Sequence, residues 1–181
     1  RASRLGVHVS MAPFQYYFWG DLLDGEMFDH DHGARWQPLS DAVASGACVS
    51  LHNDGSVSPP TPLLNVQTAA TRRTRSGAVH DPEQRITLDQ ALRAHTINAA
   101  RTLGRDHLVG SIAVGKLADF VGLSDDPYCV DPGELAQTIS VLGTWLGGQR
   151  INLGTFLAAA GAQDPAPHQH LNETAHARHC C

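Results

Sequence analysis

Apolar residues alternate with small or polar ones at Leu5, Val7, Val9 and Met11, and Pro13 closes the run. A period of two predicts a strand over 5–13 with one apolar face. The aromatic stretch 14–23, "FQYYFWGDLL", fits a short helix or a packed loop, and 24–33 is polar and turn-rich. Residues 37–46 predict a helix, with Pro38 near its start and Gly46 as its stop. An apolar run over 47–52 predicts a second strand. A Pro-rich segment and a helix over 63–76 follow it. The clearest helix is predicted over 86–104. Thr87 and Gln90 have capping-box spacing, Leu88, Ala91, Leu92, His95 and Ala99 form a stripe, and Gly104 is a stop.

Beyond Gly104 the pattern changes. Residues 109–123 predict two short strands around a Gly115–Lys116 turn. Residues 138–153 predict a hairpin with Gly147–Gly148 at its tip. The last 20 residues have no period and read as disordered. The order of elements predicts a parallel α/β arrangement followed by a small β unit.

Composition adds mainly exclusions. The chain has 181 residues, 42% of them hydrophobic, and a formal net charge of −5. That charge gives no electrostatic case for nucleic acid. The short basic run Arg72, Arg73 and Arg75 reads as a solvated helix face. No run approaches the ~18 apolar residues of a membrane helix. The N-terminal residues do not read as a signal peptide; the chain begins at Arg1, directly on strand-like sequence, so upstream sequence, and any targeting segment with it, is expected to lie outside it. Four cysteines do not make a disulfide framework. Cys48 and Cys129 read as incidental thiols, and a reducing, cytoplasmic location is expected.

The candidate chemistry lies in "VSLHNDGSV", 49–57, where a strand-like run ends in His52, Asn53, Asp54 and Gly55. His52 and Asp54 share a face if the strand persists that far. In a parallel barrel, chemistry sits at the C-terminal ends of strands. A carboxylate there can ligate a metal or handle a proton. The competing readings are a turn-forming Asp beside Gly55 and a packed strand histidine. Two histidines at i, i+2, His30 and His32, can clamp a metal from a strand, but no apolar run surrounds them to form one. His8 lies within the first strand. The tail histidines His168, His170, His176 and His179 suggest no defined site.

Taken together, "LGVHVSMAP", "GARWQPLSDAVASGACVSLHNDGSVSPPTPL", "ITLDQALRAHTINAARTLG", "VGSIAVGKLADFVGLSDDPYCVDP" and "VLGTWLGGQRI" resemble the C-terminal part of the amidohydrolase superfamily. The likeness is greatest to its amidohydrolase-3 branch and covers 1–153. Its most specific element is GSI-x-x-GK-x-ADF followed by DP.

The resemblance implies an α/β fold: the C-terminal part of a metal-dependent hydrolase (β/α)8 TIM barrel, plus part of a small composite β-sandwich. Residues 1–104 would be the last barrel strands and helices, 105–155 a sandwich segment, and 156–181 a disordered tail. The implied chemistry is hydrolysis of a carbon–nitrogen bond in a small amide-like molecule by metal-activated water, with zinc the expected divalent metal. Asp54 matches the family's strand-8 aspartate, the metal-side residue that takes and gives a proton, and His52 lies beside it as a second catalytic candidate. No separate cofactor-binding motif is implied.

The departures are large. The strand-1 His-x-His, the strand-4 bridging ligand and the histidines of strands 5 and 6 are absent. Gly55 stands where the family often has a small residue followed by a proline, and here Ser56 and Val57 follow it. The expectation is therefore a poor catalyst by itself, lacking most metal ligands. The alternative is a non-catalytic truncated module that pairs with another chain, a homo-oligomer included.

Overall fold

The computed structural model describes residues 3–55, 57–152 and 154–155. The fold is mixed α/β, as the pattern predicted. Two short strands, β1 (Val9–Met11) and β2 (Val49–Leu51), lie parallel in the register Val9↔Val49, Ser10↔Ser50, Met11↔Leu51. The chain between them forms α1 (Pro13–Leu23), α2 (His30–Gly33) and α3 (Leu39–Ala44). The predicted strand 5–13 is shorter than its alternation suggested. Val7 is exposed and Leu5 ends a 3-10 turn, because a strand extends only as far as its ladder has a partner.

The aromatic stretch is a helix. Pro13 opens it at a position that needs no N–H, and Phe14 and Tyr16 are buried. After β2 comes α4 (Pro62–Thr71). It stops earlier than predicted because Arg72 turns into the left-handed region, at φ 55°. This corrects the reading of the arginines as a solvated face. Arg72 is 1% exposed and past the helix end, whereas Arg73 and Arg75 remain exposed. Its guanidinium donates to the carbonyls of Ala34 (2.8 Å), Trp36 (3.0 Å) and Gln37 (2.9 Å) and lies 3.9 Å over the Tyr16 ring. A buried cation is tolerated when its donors are matched in this way.

The predicted helix 86–104 is two helices, α5 (Leu88–His95) and α6 (Ile97–Thr102). The capping box holds: Thr87 Oγ1 accepts from Gln90 N, and Gln90 Oε1 accepts from Thr87 N. The break falls at Thr96 (φ −119°, ψ −97°), whose hydroxyl donates back to the carbonyl of Leu92 at 2.8 Å. Such back-bonding competes with the helix ladder.

One core joins these elements. Leu39 of α3, Val49 and Leu51 of β2, Val66 and Ala69 of α4, and Ala91 and Ala94 of α5 are buried together with Leu135 and Ile139. Each large aliphatic side chain in it contributes about 1.5–3 kcal/mol of burial free energy.

The small β unit is a three-stranded antiparallel sheet of β3 (Phe120–Leu123), β4 (Val141–Leu146) and β5 (Gln149–Arg150), with α7 (Leu135–Thr138) before β4. The hairpin is as predicted, with Gly147 and Gly148 both at positive φ, which a tight turn of this kind requires. Only one of the two strands expected over 109–123 forms. The turn at Val114–Gly115 is present, but Ile112 and Val114 are fully exposed and pair with nothing among the described residues. Gly110 lets this segment approach α6, since a Cβ there would stand 2.7 Å from that of Ala100. Cys48 is a half-buried free thiol, whereas Cys129 is disulfide-bonded and so not the incidental thiol expected. The tail 156–181 lies outside the described residues. No helix among the described residues is long and apolar enough to cross a membrane.

Candidate active site at the ends of the parallel strands

The parallel ladder closes at Met11↔Leu51, and one further bond, His52 N to Met11 O at 2.9 Å, carries it to His52. Val49 and Leu51 face the core, so Ser50 and His52 share the other face of the strand. His52 Nδ1 lies 2.8 Å from Ser10 Oγ of the neighbouring strand. Its carbonyl accepts from Asn65 Nδ2 at 3.0 Å. Two elements thus hold the residue: β1 through the ring and α4 through the backbone. On the same face, Ser50 Oγ meets Thr102 Oγ1 of α6 at 3.2 Å.

The strand does not persist to Asp54, so alternation does not set the direction of its carboxylate. Asp54 sits at φ 54°, and its carbonyl accepts from Val57 N (2.9 Å) and Ser58 N (3.4 Å). Asn53 braces the same turn, its carbonyl accepting from Ser58 Oγ and its amide donating to Pro59 O at 3.2 Å. The structure brings His52 and Asp54 to one strand end, with Asp54 exposed in a tight turn. Among the described residues its carboxylate has no side-chain partner.

His95 was read only as part of the α5 stripe, yet it stands close enough to His52 to feel its charge. Burial, then His52, pushes its imidazole down to about 4, so it is neutral at pH 7. Its Nε2 is buried without a hydrogen-bond partner among the described residues. His95 also lines a largely apolar cavity of about 760 Å³ between α4, α5 and the small sheet. Helical spacing marks its burial but not its proximity to a strand end 43 residues earlier.

The His30/His32 pair is on a short helix, not a strand. His30 Nδ1 meets Asp24 Oδ1 at 2.8 Å, and His32 Nδ1 meets Asp29 Oδ1 at 2.8 Å. Hydrogen bonds to these carboxylates raise both imidazoles above their ordinary range. His8 is exposed ahead of β1. Among the described residues, no group of three or more His, Cys, Asp or Glu side chains is arranged to hold a metal ion.

Comparison with known proteins sets this geometry in a family. The amidohydrolase family model of the Amidohydro_3 type matches residues 1–151. N-substituted formamide deformylase of Arthrobacter pascens is 32% identical over 148 residues, which is 82% of this chain and 27% of that protein. The Bacillus subtilis (strain 168) protein YtcJ, described as an amidohydrolase, is 27% identical over 119 residues, 64% of this chain and 22% of that one.

Two solved structures share the fold. An uncharacterized metal-dependent hydrolase from Pyrococcus horikoshii OT3 superposes with a TM-score of 0.61 at 23% identity, over 74% of this chain and 27% of that chain. The zinc complex of atrazine chlorohydrolase TrzN from Arthrobacter aurescens TC1 gives 0.56 at 20%, over 88% and 36%. The chain spans about a quarter of the length of the curated relatives it matches. With its parallel strand pair and family match over most of its length, the chain belongs to the amidohydrolase family, in the amidohydrolase-3 branch.

Proposed function

We propose that this chain forms the C-terminal part of a metal-dependent hydrolase that cleaves a carbon–nitrogen bond in a small amide-like molecule. On this reading β1 and β2 are the last two strands of a (β/α)8 barrel, residues 1–104 complete its helical layer, and 105–155 contribute to a β-sandwich. The observation that carries the reading is the in-register parallel pairing of β1 with β2, with Asp54 just beyond their C-terminal ends in a family member. Asp54 serves as a metal-side carboxylate that takes and returns a proton. His52, held by Ser10 and Asn65, orients the mouth or meets the substrate. We place the protein in the cytoplasm.

The described residues do not fit a complete metal centre. A catalytic zinc takes about three protein ligands and a water, and among the described residues no group of three or more His, Cys, Asp or Glu side chains is arranged to supply them. No reaction step is therefore derived through a metal, and the chain by itself is proposed to be a poor catalyst.

The test joins this chain to the N-terminal three quarters of the Arthrobacter pascens deformylase and assays an N-substituted formamide with zinc present. Asp54→Asn in that chimera lowers kcat by about 100-fold or more, and His52→Ala lowers it less. Undiminished turnover by Asp54→Asn removes Asp54 from the chemistry.

A second reading is a non-catalytic module that pairs with another chain, a copy of itself included. The exposure of Ile112 and Val114, together with a parallel sheet of two strands among the described residues, favours it. Light scattering with metal analysis separates the two. A metal-free oligomer supports pairing, and a zinc-holding monomer argues against it.

A further inference from the structure

The cavity beside His95 is separate from the strand-end mouth, since neither His52 nor Asp54 lines it. One wall is α4, with Pro62, Leu63 and Val66. The other is the small sheet, with Val121, Leu123 and Val141. His95 of α5 stands between them. At about 760 Å³ the cavity has the size of a small-molecule site, and such sites are mostly apolar with a few fixed polar groups.

Two observations say what would fit. The first is the unpaired nitrogen. His95 Nε2 is buried with no hydrogen-bond partner among the described residues, and a native chain rarely leaves a buried polar atom unmatched. The neighbouring hydroxyl on the same wall, Thr96 Oγ1, is already committed to the carbonyl of Leu92 at 2.8 Å. The second is charge. Among the described residues no Asp, Glu, Lys or Arg lines the cavity. Burial keeps the His95 imidazole neutral, its value pushed down to about 4. A charged occupant would therefore be desolvated without a counter-ion, which is costly. A neutral imidazole nitrogen donates or accepts according to its tautomer. A hydroxyl does both, so it matches Nε2 in either form.

We propose that this cavity is a binding site for a small, neutral, largely apolar molecule whose one hydroxyl group pairs with His95 Nε2. Its apolar body lies between α4 and the small sheet and covers Val121 and Val141, which are otherwise exposed. Because the occupant touches both regions, binding ties the small sheet to the helical core. The site does not depend on the role assigned to Asp54, and its test needs neither metal nor turnover.

The test is an NMR titration of the isotope-labelled 181-residue chain with p-cresol and with p-xylene, which has a methyl group in place of the hydroxyl. p-Cresol gives saturable shifts centred on Leu92, His95 and Leu123, moves the His95 ring nitrogens, and binds about tenfold more tightly than p-xylene. His95→Leu binds the two alike. Val121→Trp, which takes up cavity space from β3, weakens both. Should His95→Leu fail to fold, the ring-nitrogen shift in the parent chain decides. The site is overturned by an absence of saturable shifts up to the solubility of p-cresol, by equal affinity of the parent chain for both probes, or by a preference for p-cresol that survives in a folded His95→Leu. An affinity that falls as the chain concentration rises shows that a second copy covers the cavity, and overturns it as well.

Discussion

The parallel α/β region and the small antiparallel sheet are built from similar residues and end up differently covered. In β2 every position is buried: Val49 and Leu51 lie in the core and Ser50 lies under α6. In β3 and β4, Phe120, Val121, Val141, Leu142 and Leu146 are exposed, although all are apolar. What separates them is the number of layers. The parallel pair has helices around it, whereas among the described residues of the small sheet Leu123 is the one packed against the core, with Val130 of the following loop beside it on the same core. What holds its outer side is local: Phe120 pairs across strands with Trp145, the rings stacked at 5.0 Å, and Arg150 lies over Trp145. An antiparallel sheet tolerates an open face, and a parallel one rarely does.

The sharpest way to break the contrast is at Arg72. Its guanidinium ties the end of α4 to the 34–37 segment and to Tyr16, so the helical region depends on one side chain far more than the small sheet does. Arg72→Met keeps volume and removes the donors, leaving three carbonyls without them. Denaturant unfolding is expected to show a loss of about 4 kcal/mol. Arg72→Lys recovers little, because an ammonium cannot reproduce the planar fork.

Arg72 also marks where the sequence was legible and where it was not. The strand positions, the α5 capping box, the Gly46 and Gly104 stops and the Gly147–Gly148 hairpin were all readable. Each is decided by neighbours within a few residues. Arg72, His80 and His95 were not. Arg72 takes its bonds from residues about 35 positions away and His80 from residues more than 50 away, and no local period encodes such contacts. The failures over 5–8 and 109–114 have a related cause. The alternation there is strand-like, but a strand needs a neighbour, and none pairs with these segments among the described residues. At the candidate site, the sequence placed Asp54 and His52 at a strand end. It did not foresee that the strand stops at Leu51 and that a left-handed turn at Asp54 decides where the carboxylate goes.

The seam between the two regions gives the next test. His95 lines the cavity that separates α4 and α5 from the small sheet, and burial holds its imidazole down to about 4. The unfolded chain takes up that proton near the ordinary value of about 6.5. The folded state therefore binds fewer protons between these values. Stability is full above about pH 6.5, falls as pH drops toward 4, and levels off below it. The loss across that window is roughly 3 kcal/mol. In His95→Leu this part of the slope disappears, while the acid loss due to Asp21 and Asp24 remains, since their stabilisation fades only as those lowered carboxyls are protonated. Parallel pH–stability curves for the two chains would falsify the assignment to His95.

The smallest effect is expected in the bare segment that precedes β3. Ile112 and Val114 bury nothing, so replacing both with Ser removes no packing, breaks no hydrogen bond between described residues and creates no cavity. None of the mechanisms that give large stability losses is available at such positions, and unfolding should move by no more than about 0.5 kcal/mol. The same exchange at Leu51, in the core, sacrifices its burial and leaves a hydroxyl facing apolar neighbours, at a cost of about 2–5 kcal/mol. A loss of that size at Ile112 and Val114 would mean that these side chains are covered in solution by something the chain meets there. The bareness of this segment would then belong to the isolated chain and not to its working state. A negligible loss, joined to better solubility, fixes the contrast as one of layers: apolar residues stabilise this chain only where a second layer reaches them.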